Sequence, residues 1–110
     1  MNSPLFTPYK LGPVTLRNRT IRSAAFESMG KDFGPTQELK DYHVAVARGG
    51  IGMTTLAYAA VCRSGLSFNK QLWLRPEIVP GLREITDAVH REGAAAAIQI
   101  GHCGNMTHWS

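Results

Sequence analysis

A chain of 110 residues with 44% hydrophobic content can bury the core of one small domain and not of two. Its 18% charged residues and eleven glycines exclude a disordered polar tract and a coiled coil. The net charge of +4 is local, carried by Lys10, Arg17, Arg19 and Arg22 ahead of the first acid, Glu27; lacking a basic stripe with aromatic platforms, it reads as a solvated rim of positive charge and not as a nucleic-acid surface.

Tyr9-Lys10-Leu11 and Val14-Thr15-Leu16 flank the turn dipeptide Gly12-Pro13, which predicts a hairpin. Thr20 to Phe26 is a run of small and β-branched residues without clean alternation, which predicts a strand covered on both faces. A glycine-containing loop follows from Ser28 to Pro35. Thr36 is the expected N-cap of a helix, with Glu38 in its first turn, Leu39, Tyr42, His43 and Val46 at helical spacing, and Arg48 before the Gly49-Gly50 stop.

Met53 to Cys62 predicts a second strand, and its apolar run from Leu56 to Cys62 is far too short to span a membrane. Arg63 to Val79 reads as a long mixed loop. Pro80 opens a second helix, with Leu82, Ile85 and Val89 on one side and Arg83, Glu84, Asp87 and Arg91 on the other, ended by Gly93. Ala94 to Ile100 predicts a third buried strand, leading into Gly101-His102-Cys103-Gly104.

Helices between successive strands imply parallel neighbours and right-handed crossovers, as in doubly wound sheets and (β/α)8 barrels. The turn Glu27-Ser28-Met29-Gly30 lacks the glycine spacing of a dinucleotide-binding turn, and a hairpin ahead of the first strand favours a barrel with a closed bottom. No secretory leader is expected, and cysteines at 62 and 103 make no disulfide framework, so the expected location is cytoplasmic.

In such architectures function gathers at the carboxyl ends of strands. Those ends read Ala24-Ala25-Phe26, Ala59-Ala60 and Gln99 to His102. The alanines either let a flat ligand lie against the backbone or satisfy tight packing. Gln99 either meets the alternating N–H and C=O edge of a pyrimidine-like ring or points outward to main chain. His102, Cys103 and His108 are zinc-type ligands without a second cluster, so no metal site is assigned. His43 and His90 read as packed or surface histidines. Tyr42 and Tyr58 are proton donors or packing residues, and neither cysteine has a C-x-x-C partner.

Several segments together resemble the Old Yellow Enzyme family of FMN-dependent NADH:flavin oxidoreductases. They are Leu5-Phe6-Thr7-Pro8 through Leu16-Arg17-Asn18-Arg19; Gly49-Gly50-Ile51-Gly52-Met53 with Ala59-Ala60-Val61; Val79-Pro80-Gly81-Leu82 through Asp87-Ala88-Val89-His90; and Ile98-Gln99-Ile100-Gly101-His102-Cys103-Gly104. The resemblance implies an α/β fold, the N-terminal part of a TIM (β/α)8 barrel comprising the hairpin and about three β/α units. Residues 1–110 would then be the first portion of a single FMN-binding domain.

It also implies FMN as cofactor and NAD(P)H and a small-molecule electron acceptor such as an activated alkene as partners, with no nucleic acid, no membrane and a homo-oligomer at full length. Cofactor contacts are implied at Ala24, Ala25, Phe26, Ala60 and Gln99. Two departures stand out. Phe26 replaces the family's Thr or Cys, which implies altered electronics or a reshaped pocket mouth, and Asn105 stands where Arg is common. The family's substrate anchors and proton donor belong beyond residue 110, so no catalytic residue is assigned and the chain alone is expected to be inactive. The alternatives are a stand-alone, non-enzymatic α/β binding or assembly module, and a barrel relative with another ligand.

Overall fold

A computed structural model describes residues 3–107. Strands β1 (Tyr9–Leu11) and β2 (Val14–Leu16) form the expected antiparallel hairpin, Leu11 opposite Val14. Gly12, at φ +57, takes the first central turn position, where a two-residue hairpin turn of this kind needs glycine.

The second sheet is parallel throughout. Strand β4 (Met53–Ala60) pairs along its length with β6 (Ala95–Gly101). Elsewhere it pairs with β3 (Ile21–Arg22) through Met53 and Thr54, and with β5 (Leu72–Trp73) through Ala59 and Ala60. Helices α1 (Gln37–Arg48) and α2 (Val79–Arg91) supply the crossovers. The core joins Leu39 and Ala47 of α1, Ile85 and Val89 of α2, Leu56 and Ala59 of β4, and Leu72 and Ala94.

Thr36 caps α1: its Oγ1 accepts from the Leu39 N–H at 3.1 Å and donates to the Met29 carbonyl at 2.5 Å. One hydroxyl thereby starts the helix and anchors the preceding loop. Thr36→Ala is expected to cost about 1 kcal/mol, read as a lowered thermal midpoint, with Thr36→Ser close to the parent.

Three sequence expectations are corrected. Strand β3 stops at Arg22 instead of running to Phe26, because the Arg22 guanidinium turns back on its own segment, donating to the carbonyls of Ser23 and Ala25 at 3.3 Å each. Strands β3 and β6 are not covered on both faces. Ile21 is 48% and Ile100 56% exposed, and each strand pairs only with β4 among the described residues. The stretch read as a loop contains β5, preceded by a turn in which Gln71 Oε1 accepts from the Ser67 N–H at 2.6 Å.

The positive rim is solvated only in part: Lys10 and Arg19 are exposed, while Arg17 and Arg22 are half-buried. Arg17 donates from Nε to the Ile51 carbonyl at 3.0 Å, from Nη1 to Glu92 at 2.6 Å and from Nη2 to Ala47 at 2.5 Å. It closes the C-terminal ends of both helices, where carbonyls lack intrahelical partners. Arg19 lies over the Tyr9 ring at 5.0 Å. Among the described residues no helix is long and apolar enough to cross a membrane.

Candidate functional site

The parallel pairing brings the carboxyl ends of β4 and β6 side by side, with Ala60 opposite Gly101, while Arg22 at the end of β3 stands opposite Thr54. Ala24, Ala25 and Phe26 form the turn that follows β3. Ala24 and Phe26 are half-buried and Ala25 is exposed. Phe26 stacks on Phe68 with ring centroids 5.4 Å apart and leans on Tyr58 at 5.0 Å. The three rings make one aromatic group beside the turn after β3. Ala60 is fully buried between β5 and β6, and its carbonyl accepts from the Leu74 N–H at 2.9 Å.

Gln99 is exposed on β6, and its amide has no hydrogen-bond partner among the described residues. It sits opposite an irregularity in the ladder. Leu56 pairs with Ile98 and Ala59 with Ile100, so Ala57 and Tyr58 together oppose Gln99. Such a bulge takes main-chain groups out of the ladder and re-aims side chains, often beside functional sites.

The Ala57 N–H meets a carboxylate here. Glu27 Oε2 accepts from it at 3.1 Å and lies 2.6 Å from His43 Nε2. His43 Nδ1 lies 2.7 Å from Thr54 Oγ1. The Glu27 side chain is 2% exposed and that of His43 is fully buried. A carboxylate Oε2 that accepts from the Ala57 amide also suits the Nε2–H tautomer of His43, whose Nδ1 then accepts from the Thr54 hydroxyl. Arg22 Nη1 stands 3.9 Å from the same carboxylate oxygen and donates to the Thr55 carbonyl at 2.8 Å, while Nη2 donates to the Tyr42 hydroxyl at 3.1 Å.

Reading the sequence alone missed Arg22 and Glu27, and left His43 as a packed or surface residue. The available signal was a single acid directly after a run of small, apolar residues, with a histidine on the inward face of the next helix.

A second polar group lies at the ends of β4 and β6. Ser64 Oγ is 3.2 Å from both Cys62 Sγ and His102 Nε2, and His102 Nδ1 accepts from the Gly104 N–H at 2.9 Å. Gly65 admits the ring, since a Cβ there would stand 2.8 Å from His102 Cδ2. Asn105 is exposed in the short turn beyond it. Among the described residues no three His, Cys, Asp or Glu side chains converge as metal ligands, and His108 lies outside those residues.

The fold has counterparts among known proteins. The chain is 48% identical over 100 residues to a 4,4'-dithiodibutanoate disulfide reductase of Rhodococcus erythropolis, covering 91% of this chain and 25% of that protein. A 2-naphthoyl-CoA reductase solved with 2-naphthoyl-CoA superposes with a TM-score of 0.92 at 25% identity, over 98% of this chain and 17% of its own. A morphinone reductase solved with tetrahydroNAD gives a TM-score of 0.85 at 25% identity, over 97% of this chain and 29% of its own. The chain thus spans about a quarter or less of the first two and under a third of the last. Residues 4–109 match the family model, and the chain belongs to the NADH:flavin oxidoreductase / NADH oxidase family.

Proposed function

We propose that residues 1–110 are the flavin-facing first portion, the hairpin and about three β/α units, of a single FMN-binding (β/α)8 barrel. The whole protein would be a cytoplasmic NAD(P)H oxidoreductase. When bound, FMN supplies the hydride relay between NAD(P)H and an activated alkene or another small-molecule acceptor. The observation that carries this reading is the unengaged Gln99 amide at the joined strand ends of a chain whose family is shown. The morphinone reductase solved with tetrahydroNAD supports the nicotinamide partner.

The residues present fit FMN. An amide that both donates and accepts suits the N–H and C=O edge of the flavin pyrimidine, and Gln99 offers it without breaking an internal bond. Ala24 and Ala25 present small side chains and main chain to a flat ring. Their N–H groups make no hydrogen bond among the described residues. Ala60 contributes by being small where β5, β4 and β6 crowd together. Phe26, packed on Tyr58 and Phe68, narrows the approach and excludes water beside the ring. None of these side chains moves a proton; their part is to bind and orient, and the chain alone is proposed to be inactive.

In the full-length protein that carries this chain, purification should give a yellow product with a flavin absorbance band. Gln99→Ala should weaken FMN binding about tenfold, the loss of two hydrogen bonds partly replaced by water. A colourless protein that ignores added FMN sinks the cofactor; unchanged affinity in the variant sinks the site.

A further inference from the structure

We propose that Glu27 is a positioning residue for the flavin site, holding the turn after β3 and the bulge of β4 in the relative places that Ala24 to Phe26 and Gln99 require. This rests on the FMN reading above.

Glu27 ends the turn that begins at Arg22. Its carboxylate reaches away from that turn to two other elements, α1 through His43 Nε2 at 2.6 Å and β4 through the Ala57 N–H at 3.1 Å. The second bond has a specific consequence. The irregular pairing opposite Gln99 takes Ala57 and Tyr58 out of register with β6, and a buried amide left without an acceptor there would favour a return to regular pairing. Regular pairing would reverse the face on which the following residues sit, because side chains alternate along a strand. Glu27 supplies the acceptor, so the bulge persists and with it the local geometry around Gln99.

The same carboxylate fixes the turn. Arg22 grips the Ala25 carbonyl at 3.3 Å, and Glu27 tethers the chain two residues later. Ala24, Ala25 and Phe26 are therefore held from both sides while their own N–H groups stay unbonded. His43 is in turn oriented by Thr54, one residue before the carbonyl that Arg22 takes on β4. A buried carboxylate is costly when it serves packing alone; here one bond ties the turn after β3 to α1 and the other ties it to the bulge of β4.

The test uses the full-length protein with Glu27→Ala, Glu27→Asp, Glu27→Gln and, as a remote control, Val89→Ala in α2. Thermal midpoints of the apoprotein and FMN affinity by fluorescence titration are read together. Glu27→Ala should weaken FMN about tenfold. Glu27→Gln, whose Oε1 can accept both N–H groups, should stay within about twofold of the parent. Glu27→Asp keeps the charge but is too short to reach both partners; it should behave like alanine, and it replaces alanine should that variant fail to fold. Val89→Ala should lower the midpoint and leave affinity unchanged, since it opens a cavity far from the strand ends.

Parent-like affinity in Glu27→Ala overturns the proposal, as does failure of glutamine to restore affinity. Weakening in Val89→Ala in proportion to its midpoint, matching Glu27→Ala, also overturns it by showing stability alone at work. A parent protein that ignores FMN removes the reading beneath the proposal; a parent that binds it while Glu27→Ala binds equally well removes only the positioning role.

Discussion

Arg17→Ala is expected to cost about 3 kcal/mol or more, read as a large fall in the urea midpoint of the protein carrying this chain. One guanidinium there serves three carbonyls from three places: Ala47 in the last turn of α1, Glu92 just past α2, and Ile51 at the entry to β4. Each bond is charge-assisted, and the Ala47 carbonyl, which also accepts from the Gly50 N–H at 3.1 Å, lies with that of Glu92 at a helix end where no intrahelical donor reaches. Arg17 follows directly on β2, so it also ties the hairpin to the parallel layer. Lysine should recover only part of the loss, because a single ammonium cannot reproduce the planar fork. Gly93 belongs to the same device. It has φ +89, and a Cβ on it would stand 2.6 Å from Arg17 Nη1. A change in midpoint equivalent to under about 0.5 kcal/mol would return Arg17 to the solvated rim that its sequence context suggests.

The elements read correctly in the sequence are those with local causes. Gly12-Pro13 makes the hairpin, Thr36 and Gly49 bound α1, and the spacing of Ile85 and Val89 with Gly93 beyond defines α2. The order of β3, β4 and β6, with Ala60 on the second and Gln99 on the third, follows from alternating strand and helix patterns. What escaped is non-local. Strand β5 has two residues and no period; it exists because Leu72 and Trp73 find Ala59 and Ala60. The shortening of β3 depends on where the Arg22 side chain folds, which its charge alone does not reveal. The meeting of Glu27 with His43 needs α1 to cross β4 first, and nothing in their spacing of sixteen residues announces it. The bulge opposite Gln99 is equally silent, since Ala57 and Tyr58 suit a regular strand.

His43→Leu is expected to cost about 3 kcal/mol, because it strips a buried carboxylate of its 2.6 Å partner while the charge stays in place. What remains to Glu27 is the Ala57 N–H and Arg22 at 3.9 Å. Adding Glu27→Leu to His43→Leu removes the stranded charge, so the second substitution should cost much less than it does in the parent. It does not become free, because the Ala57 amide then loses its acceptor, at about 1–3 kcal/mol. The four proteins of this cycle, compared by chemical denaturation, should show a coupling of about 1 kcal/mol or more between the two positions. Additivity within about 0.5 kcal/mol would mean that the pair contributes only as two independently packed side chains. The cycle also separates the energetics of the pair from its placement of the turn. A buried carboxylate with its partner is a poor source of net stability compared with apolar packing, so a coupling of that size and a small net worth are compatible. A carboxylate kept at that expense, between the β3 turn and the β4 bulge, acts through the positions it imposes on its neighbours.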